Sequence, residues 1–90
     1  MCYDVQISEG AEKDLSKIDR FQAKIIILWL EKNLKGCDNP RLHGKALSGT
    51  KKGYWRYRVG DYRIIADIQD AVVRIEIIRV GHRREVYSKQ

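Results

Sequence analysis

The residues of this chain that could act chemically on an anionic ligand are concentrated in two short stretches. Residues 53–63 read GYWRYRVGDYR and place three arginines among aromatic and other strand-forming residues. Residues 80–90 read VGHRREVYSKQ and bring a histidine, two arginines and a tyrosine within six positions. Arginine binds phosphate oxygens through a planar fork, histidine and tyrosine transfer protons, and an aromatic ring stacks on a base. Together these groups supply what cleavage of an RNA phosphodiester requires.

The first stretch predicts a β-hairpin whose arginines share one face. Gly60-Asp61 fits a two-residue turn of type I′ or II′, and this turn sets Arg58 directly opposite Arg63. Arg56 lies two residues before Arg58 and therefore on the same side. Like charges paired across two strands destabilise a sheet by roughly a few tenths of a kcal/mol. We therefore favour a phosphate-binding surface over a merely solvated one.

Counting onward through a second two-residue turn, Gln69-Asp70, extends this register to the last strand. It predicts that Arg74 and Glu76 join the arginine face, with Glu76 opposite Arg63. The other face is expected to pack on helices and to consist of Trp55, Tyr57, Val59, Tyr62, Ile64, Ala66, Ile68, Val73, Ile75 and Ile77.

The first half of the chain predicts a strand and two helices. Tyr3–Ile7 alternates apolar and polar residues, as a strand does, and Ser8 is a suitable N-cap for a helix. Asp19 is the predicted N-cap of a second helix, which runs to Lys35 and stops at Gly36. The apolar run in this second helix is wider than one stripe, so we expect the first helix and the sheet to cover it, and an exposed patch for a protein partner is the less favoured alternative.

The second half predicts a long connection followed by three strands. Residues 37–53 are rich in turn-forming residues, with Leu42 and Leu47 as expected anchors. The strands are expected at Tyr54–Val59, Tyr62–Ile68 and Ala71–Val80. Gly81 is expected to end the last strand and to leave His82 beside the arginine face. The predicted fold class is α+β: an N-terminal strand, a helical hairpin and a three-stranded antiparallel meander, forming one twisted sheet with the helices on one face of a single domain, residues 1–90.

The charge of the chain is distributed unevenly. Residues 1–40 carry six Lys/Arg against seven Asp/Glu, a net charge of −1, whereas residues 41–90 carry twelve against five, a net charge of +7. This asymmetry favours an anionic partner, either nucleic acid or an acidic protein segment, bound by the second half.

Several classes of protein are disfavoured by the sequence. The longest apolar run is far shorter than the roughly 20 residues that span a bilayer, and the N-terminus lacks the pattern of a signal peptide, so we expect a cytoplasmic protein without membrane contact. Cys2 and Cys37 lack metal-ligand spacing and are interpreted as reduced thiols. We expect no metal site and no small-molecule cofactor.

The order of elements, with the segments YWRYRVGDYRIIADI and IIRVGHRREVY, resembles the RelE/ParE superfamily of toxins from toxin–antitoxin pairs, and RelE-type ribonucleases in particular. The resemblance covers nearly the whole chain. It implies a toxin that cuts messenger RNA in the ribosomal A site without a metal, using the RNA's own 2′-hydroxyl as nucleophile. It also implies a RelB-like antitoxin, which would lay an acidic or amphipathic segment over the arginine face or dock on the helical hairpin.

Carried over residue by residue, the resemblance assigns Arg63 to phosphate stabilisation and Arg83 to assistance of the leaving oxygen. Tyr87 falls where the family's tyrosine stacks on the substrate or removes its proton. Arg56 and Arg58 lie near the lysines of well-known members, and because arginine is a poor general base, we expect His82 to share the proton transfer. The remaining predicted phosphate-binding residues are Lys51, Lys52 and Arg84.

Three alternatives remain open from the sequence. A ParE-type toxin would inhibit DNA gyrase and needs no nuclease residues, although the Arg83 and Tyr87 pair argues against it. A nonenzymatic RNA-binding or ribosome-binding module would use the same basic face without catalysis. A simple protein-interaction domain would leave the opposed arginines without a purpose.

Overall fold

A computed structural model of the chain describes residues 2–47 and 53–82. In chain order, the elements are β1 (Asp4–Ile7), α1 (Glu9–Lys17), α2 (Arg20–Asn33), β2 (Lys45–Ala46), β3 (Trp55–Val59), β4 (Tyr62–Gln69) and β5 (Arg74–His82). The strands form one five-stranded sheet in the order β1-β5-β4-β3-β2. β1 runs parallel to β5, and the other neighbouring strands are antiparallel. The predicted α+β architecture is confirmed.

Both helices begin where side-chain caps predict. The Ser8 hydroxyl accepts a hydrogen bond from Ala11 N at 3.1 Å, and the Asp19 carboxylate accepts from Phe21 N and Gln22 N. These bonds satisfy backbone donors that have no partner inside the first helical turn. α2 ends at Asn33, slightly earlier than predicted.

The core lies between the helices and one face of the sheet, which we call the inner face. It contains the predicted strand residues Tyr57, Ile64, Ala66, Ile75 and Ile77, all fully buried. The helices contribute Ala11, Leu15, Ile26, Leu30 and Leu34. The alternation that assigns these strand residues to the core assigns their neighbours to the opposite side, the outer face.

The connection before β3 differs from the prediction. Leu42 is 74% exposed and does not anchor it. Instead, the buried Tyr57 hydroxyl donates to the Pro40 carbonyl at 2.7 Å, and the Trp55 indole donates to the His43 carbonyl at 2.6 Å. The short strand β2, which was not predicted, pairs with the start of β3.

The turn between β4 and β5 is longer than predicted. A 3-10 turn, Asp70–Val72, precedes Val73, and Gln69 pairs with Arg74 across it. β5 therefore begins at Arg74 rather than at Ala71. It also continues through Gly81 to His82, so the predicted strand break at Gly81 is wrong.

Candidate functional site

The predicted arginine pair is present at the β3–β4 hairpin. Arg58 lies directly opposite Arg63, and Arg56 lies opposite Ile65. Gly60 has φ +60 whereas Asp61 does not have a positive φ, which is the pattern of a type II′ turn. Because this turn contains only two residues, it fixes the register that places the two arginines opposite each other on the outer face.

The two opposed arginines differ in exposure. Arg58 is exposed, whereas Arg63 is only 3% exposed. Ile65, two residues further along the same face, is 6% exposed. The arginine face is therefore not solvated along the central strand, because β4 is buried on both sides at these positions. Arg58 is the member of the pair that solvent reaches.

The predicted partner of Arg63 is wrong, because the longer turn and a bulge change the register. Arg63 lies opposite Gly81, and Glu76 lies opposite Asp67. The Gln69 amide donates to both carboxylates at 3.1 Å and joins this acidic pair. The outer face thus has a basic end at the β3–β4 hairpin and an acidic end at the β4–β5 turn.

A β-bulge in β5 decides which side its last residues occupy. Ile65 pairs with Arg79 and Ala66 pairs with Ile77, which leaves Ile78 as the extra residue. The Ile78 carbonyl accepts a hydrogen bond from the Ser8 hydroxyl at 3.0 Å. The extra residue inverts the alternation, so that Gly81 rather than His82 lies on the arginine side.

His82 is consequently on the inner face, which corrects its predicted place beside the arginines. It lies opposite Tyr62, and the centroids of the two rings are 5.7 Å apart. Both rings line a cleft of about 410 Å³ between the ends of β4 and β5 and the turn that joins α1 to α2. The sheet separates His82 from the arginine pair.

A contact that the sequence did not predict fixes the end of β5. The Asp14 carboxylate on α1 accepts hydrogen bonds from the Arg79 guanidinium at 2.7 and 3.2 Å and from Val80 N at 2.9 Å. Burial raises the pKa of Asp14, but these hydrogen bonds outweigh burial and hold the pKa below its usual value. The partners are more than sixty positions apart, so no local pattern signals the contact.

α2 presents a second candidate surface on the other side of the molecule. Phe21, Ile25 and Leu28 are 67%, 38% and 53% exposed, and their spacing places them on one face of the helix. We call these three residues the apolar stripe. The exposed charged residues from the N-cap of α2 to the segment just after it are Asp19, Arg20, Lys24, Glu31, Lys32 and Lys35. The stripe corresponds to the less favoured of the two predictions for α2, an exposed patch for a protein partner.

Five of the predicted site residues cannot be placed. Arg83, Tyr87, Arg84, Lys51 and Lys52 lie outside the described residues. Within residues 2–47 and 53–82, His, Cys, Asp and Glu side chains do not gather in any group of three or more that could hold a metal ion. Over the same residues, neither helix is long and apolar enough to cross a membrane.

Three comparisons with known proteins agree on the kind of protein. Residues 5–87 match the family model described as ParE toxin of the type II toxin–antitoxin system, parDE. The toxin RelE of Mycobacterium tuberculosis is 32% identical over 85 residues, which are 94% of this chain and 86% of that protein.

Solved structures of RelE proteins share the fold. The RelBE2 toxin–antitoxin complex of M. tuberculosis contains a chain with a TM-score of 0.81 and 26% identity, covering 92% of this chain and 93% of its own. A mutant of E. coli RelE in the free state has a TM-score of 0.74 and 25% identity, covering 98% and 93%. The chain is therefore a RelE-like toxin of the RelE/ParE superfamily, from a type II toxin–antitoxin system.

Proposed function

We propose that this toxin is an endoribonuclease that cleaves messenger RNA in the ribosomal A site. The 2′-hydroxyl of the RNA attacks the adjacent phosphate, and the chain supplies cations and a proton-transfer group without a metal ion. The observation that carries the proposal is the Arg58–Arg63 pair, two cations set directly opposite each other in a chain related to RelE. Such a pair is unfavourable in an isolated sheet and favourable around a phosphate.

Arg56, Arg58 and Arg63 would have different roles in catalysis, because they differ in exposure to solvent. Arg58 is exposed and would meet the phosphate first, with Arg56 beside it. Arg63 would stabilise the negative charge that develops on the phosphorane. Since Arg63 is 3% exposed, contact with RNA requires the groups that cover it to move.

The remaining roles rest on the resemblance to the RelE-type ribonucleases. Arg83 would assist the leaving oxygen, and Tyr87 would stack on a base or accept the proton of the 2′-hydroxyl. Arg84, Lys51 and Lys52 would add phosphate contacts. Because His82 lies on the opposite side of the sheet from the arginine pair, we infer that it takes no direct part in proton transfer there. We expect His82→Gln to keep most of the activity.

The test is growth after controlled induction in a bacterial host, together with mapping of the 5′ ends of transcripts. Wild type should arrest growth and produce new cuts inside translated messages. Arg58→Ala should lower the cleavage rate about 10²-fold, as loss of one donor to a developing oxyanion does. Arg74→Ala, an arginine at the acidic end of the same face, is the matched control and should cleave normally.

Other outcomes identify the alternative functions. Arrest with intact messages and DNA damage would indicate a ParE-type gyrase inhibitor. This alternative is supported by the match to the ParE toxin family model. Arrest that persists in Tyr87→Phe, without cleavage, would indicate a nonenzymatic ribosome-binding module.

We further propose a RelB-like antitoxin as the partner, bound on the apolar stripe of α2. The related M. tuberculosis structure is a toxin–antitoxin complex. Four basic residues and two acidic residues are exposed on α2 and at its ends, so an amphipathic helix with acidic flanks would match the stripe in polarity and its surroundings in net charge. Two copies of this chain would instead bring like charges together.

Paired substitutions of exposed leucines test this docking site. Leu28→Asp places a carboxylate in the stripe and should weaken antitoxin binding at least about 30-fold, as a hot-spot substitution does. Leu42→Asp is the control, because Leu42 is 74% exposed and is not part of the stripe. Equal binding by both variants, with loss of binding in Arg58→Ala, would move the antitoxin to the arginine face.

A further inference from the structure

The only two cysteines of the chain, Cys2 and Cys37, are brought together by the fold. Tyr3 N donates a hydrogen bond to the Cys37 carbonyl at 2.9 Å, and Gly36 N donates to the Tyr3 carbonyl at 2.8 Å. The segment before β1 therefore runs alongside the segment that follows α2. Residues at distant positions in the sequence become backbone neighbours.

The first of these bonds limits the distance between the cysteines. Cys2 directly precedes the donor nitrogen, and Cys37 carries the acceptor oxygen, so standard bond lengths keep their Cα atoms within about 8 Å. An α-helix contains the same arrangement, because the residue just before a donor N–H lies three positions after the residue that carries the acceptor carbonyl. Residues three apart in a helix have Cβ atoms about 5–6 Å from each other. Disulfides join Cα atoms about 4.4–6.8 Å apart.

We propose that Cys2 and Cys37 form a reversible intrachain disulfide when the protein meets a peroxide. Both thiols are free in the structure. The proposal does not depend on the ribonuclease function, because neither cysteine lies near the arginine pair in the sheet order.

The two thiols differ in reactivity, and this difference sets the order of the steps. Cys2 is exposed and is therefore open to a peroxide in solution. Cys37 is half-buried, and burial, together with the nearby Asp38 and Cys2, raises the pKa of its thiol. Cys2 is the thiol to be oxidised first, and Cys37 is the thiol that resolves the product.

The reaction balances with hydrogen peroxide as the oxidant. The Cys2 thiolate attacks one peroxide oxygen, the O–O bond breaks, and a sulfenic acid and one water form. The Cys37 thiolate then attacks the Cys2 sulfur, and the S–O bond breaks with release of a second water. Two thiols are oxidised by two electrons, the peroxide is reduced, and the thiol protons leave in the two waters.

The disulfide would tie the start of an edge strand to the rest of the fold. β1 has β5 as its partner, in a parallel pairing of four residues. A covalent bond just before β1 closes a long loop through both helices and removes open conformations from the unfolded chain. The oxidised protein should therefore resist unfolding more than the reduced protein.

The experiment treats the purified protein with a small excess of hydrogen peroxide and measures intact mass without reductant. Wild type should remain a monomer and lose the mass of two hydrogen atoms, and peptide mapping should recover the two cysteine peptides joined. Its midpoint of thermal unfolding should rise by at least about 5 °C, and dithiothreitol should reverse the rise. Cys2→Ser and Cys37→Ser should show neither change.

Two results would overturn the proposal. One is a wild-type monomer that gains oxygen at Cys2 without losing two hydrogens, which would mean that Cys37 cannot reach it. The other is a disulfide-linked dimer as the main product in wild type, which would show that the cysteines react between chains.

Discussion

Asp14 is a residue whose carboxylate joins two elements, α1 and the end of β5. Its side chain is 12% exposed, and it accepts from both Arg79 and Val80 N. The pairing of β1 with β5 ends at Ile77 of β5. At Val80 the Asp14 carboxylate therefore accepts the backbone N–H that a neighbouring strand would otherwise bind. The residues that line the cleft beside His82 depend on this contact for their position.

Asp14→Asn should lower the free energy of unfolding by about 2 kcal/mol at pH 7, the usual value of hydrogen bonds to a charged group. The pKa of Asp14 is lower in the folded protein than in the unfolded chain. Its stabilisation is therefore complete above the unfolded pKa of about 3.9 and disappears as the pH falls through the folded pKa. Urea unfolding at pH 7, 5 and 3 should show wild type and variant converging at the lowest pH.

Glu31→Gln, an exposed carboxylate on α2, is the control and should change stability little at any of these pH values. A difference between wild type and Asp14→Asn that stays constant down to pH 3 would contradict the role of the ionised carboxylate.

The relative positions of the candidate site residues were predictable where a short turn determines which residues of two strands lie opposite each other. The two-residue turn at Gly60 gave the correct opposition of Arg58 and Arg63. The burial of Arg63 was not predictable, because alternation assigns a residue to a face without saying how deeply that face is covered. The position of His82 was not predictable, because an isoleucine that forms a bulge looks like any other strand residue.

At the scale of elements, the turn between β4 and β5 is held by contacts from outside the sheet. The Asp70 carboxylate accepts from the Tyr3 hydroxyl at 2.6 Å and from the Arg41 guanidinium at 2.9 and 3.1 Å. The Arg41 hydrogen bond, followed by that of Tyr3, lowers the pKa of Asp70. Helix starts were predictable from adjacent caps, whereas this turn depends on partners far along the chain.

The same turn contains a valine in a conformation that suits other residues better. Val73 has φ +54 and ψ +51, and β-branched residues seldom adopt this left-handed region. Val73→Asn should relieve part of the strain and raise the free energy of unfolding by about 1 kcal/mol. The corresponding rise in the unfolding temperature is about 4–8 °C, measured by circular dichroism.

Val72→Asn tests whether the gain comes from the backbone. Val72 is 55% exposed and has no positive φ, so this variant should not be stabilised. Equal stabilisation by the two substitutions would mean that replacing an apolar side chain, and not relief of strain, is responsible.

Under the proposed function, the division of the outer face into a basic and an acidic end gives RNA a preferred position on the protein. The phosphate backbone should follow the hairpin end, where Arg56 and Arg58 lie, and avoid the end with Asp67 and Glu76. The net charge of +6 strengthens this attraction at low salt.

The salt dependence of RNA binding measures how many phosphates the molecule contacts. Arg58→Ala should reduce the slope of log Kd against log salt concentration by about 0.7, the value for one contact with a single strand. Fluorescence anisotropy with a single-stranded RNA measures both slopes. Arg74→Ala should leave the slope unchanged, and an equal reduction in both variants would place the RNA elsewhere on the protein.

The bulge at Ile78 has a consequence for how related sequences are compared. In a regular strand, each added or removed residue acts as a frameshift does in a gene, because it reassigns every later position to the other side. The bulge takes up the extra residue, so deleting Ile78 would leave Arg79 opposite Ile65, Val80 in the core and His82 on the inner face. Two relatives that differ by a single gap at this point would therefore present the same side chains to their substrate, whereas two relatives of equal length, one of which lacks the bulge, would present opposite sets.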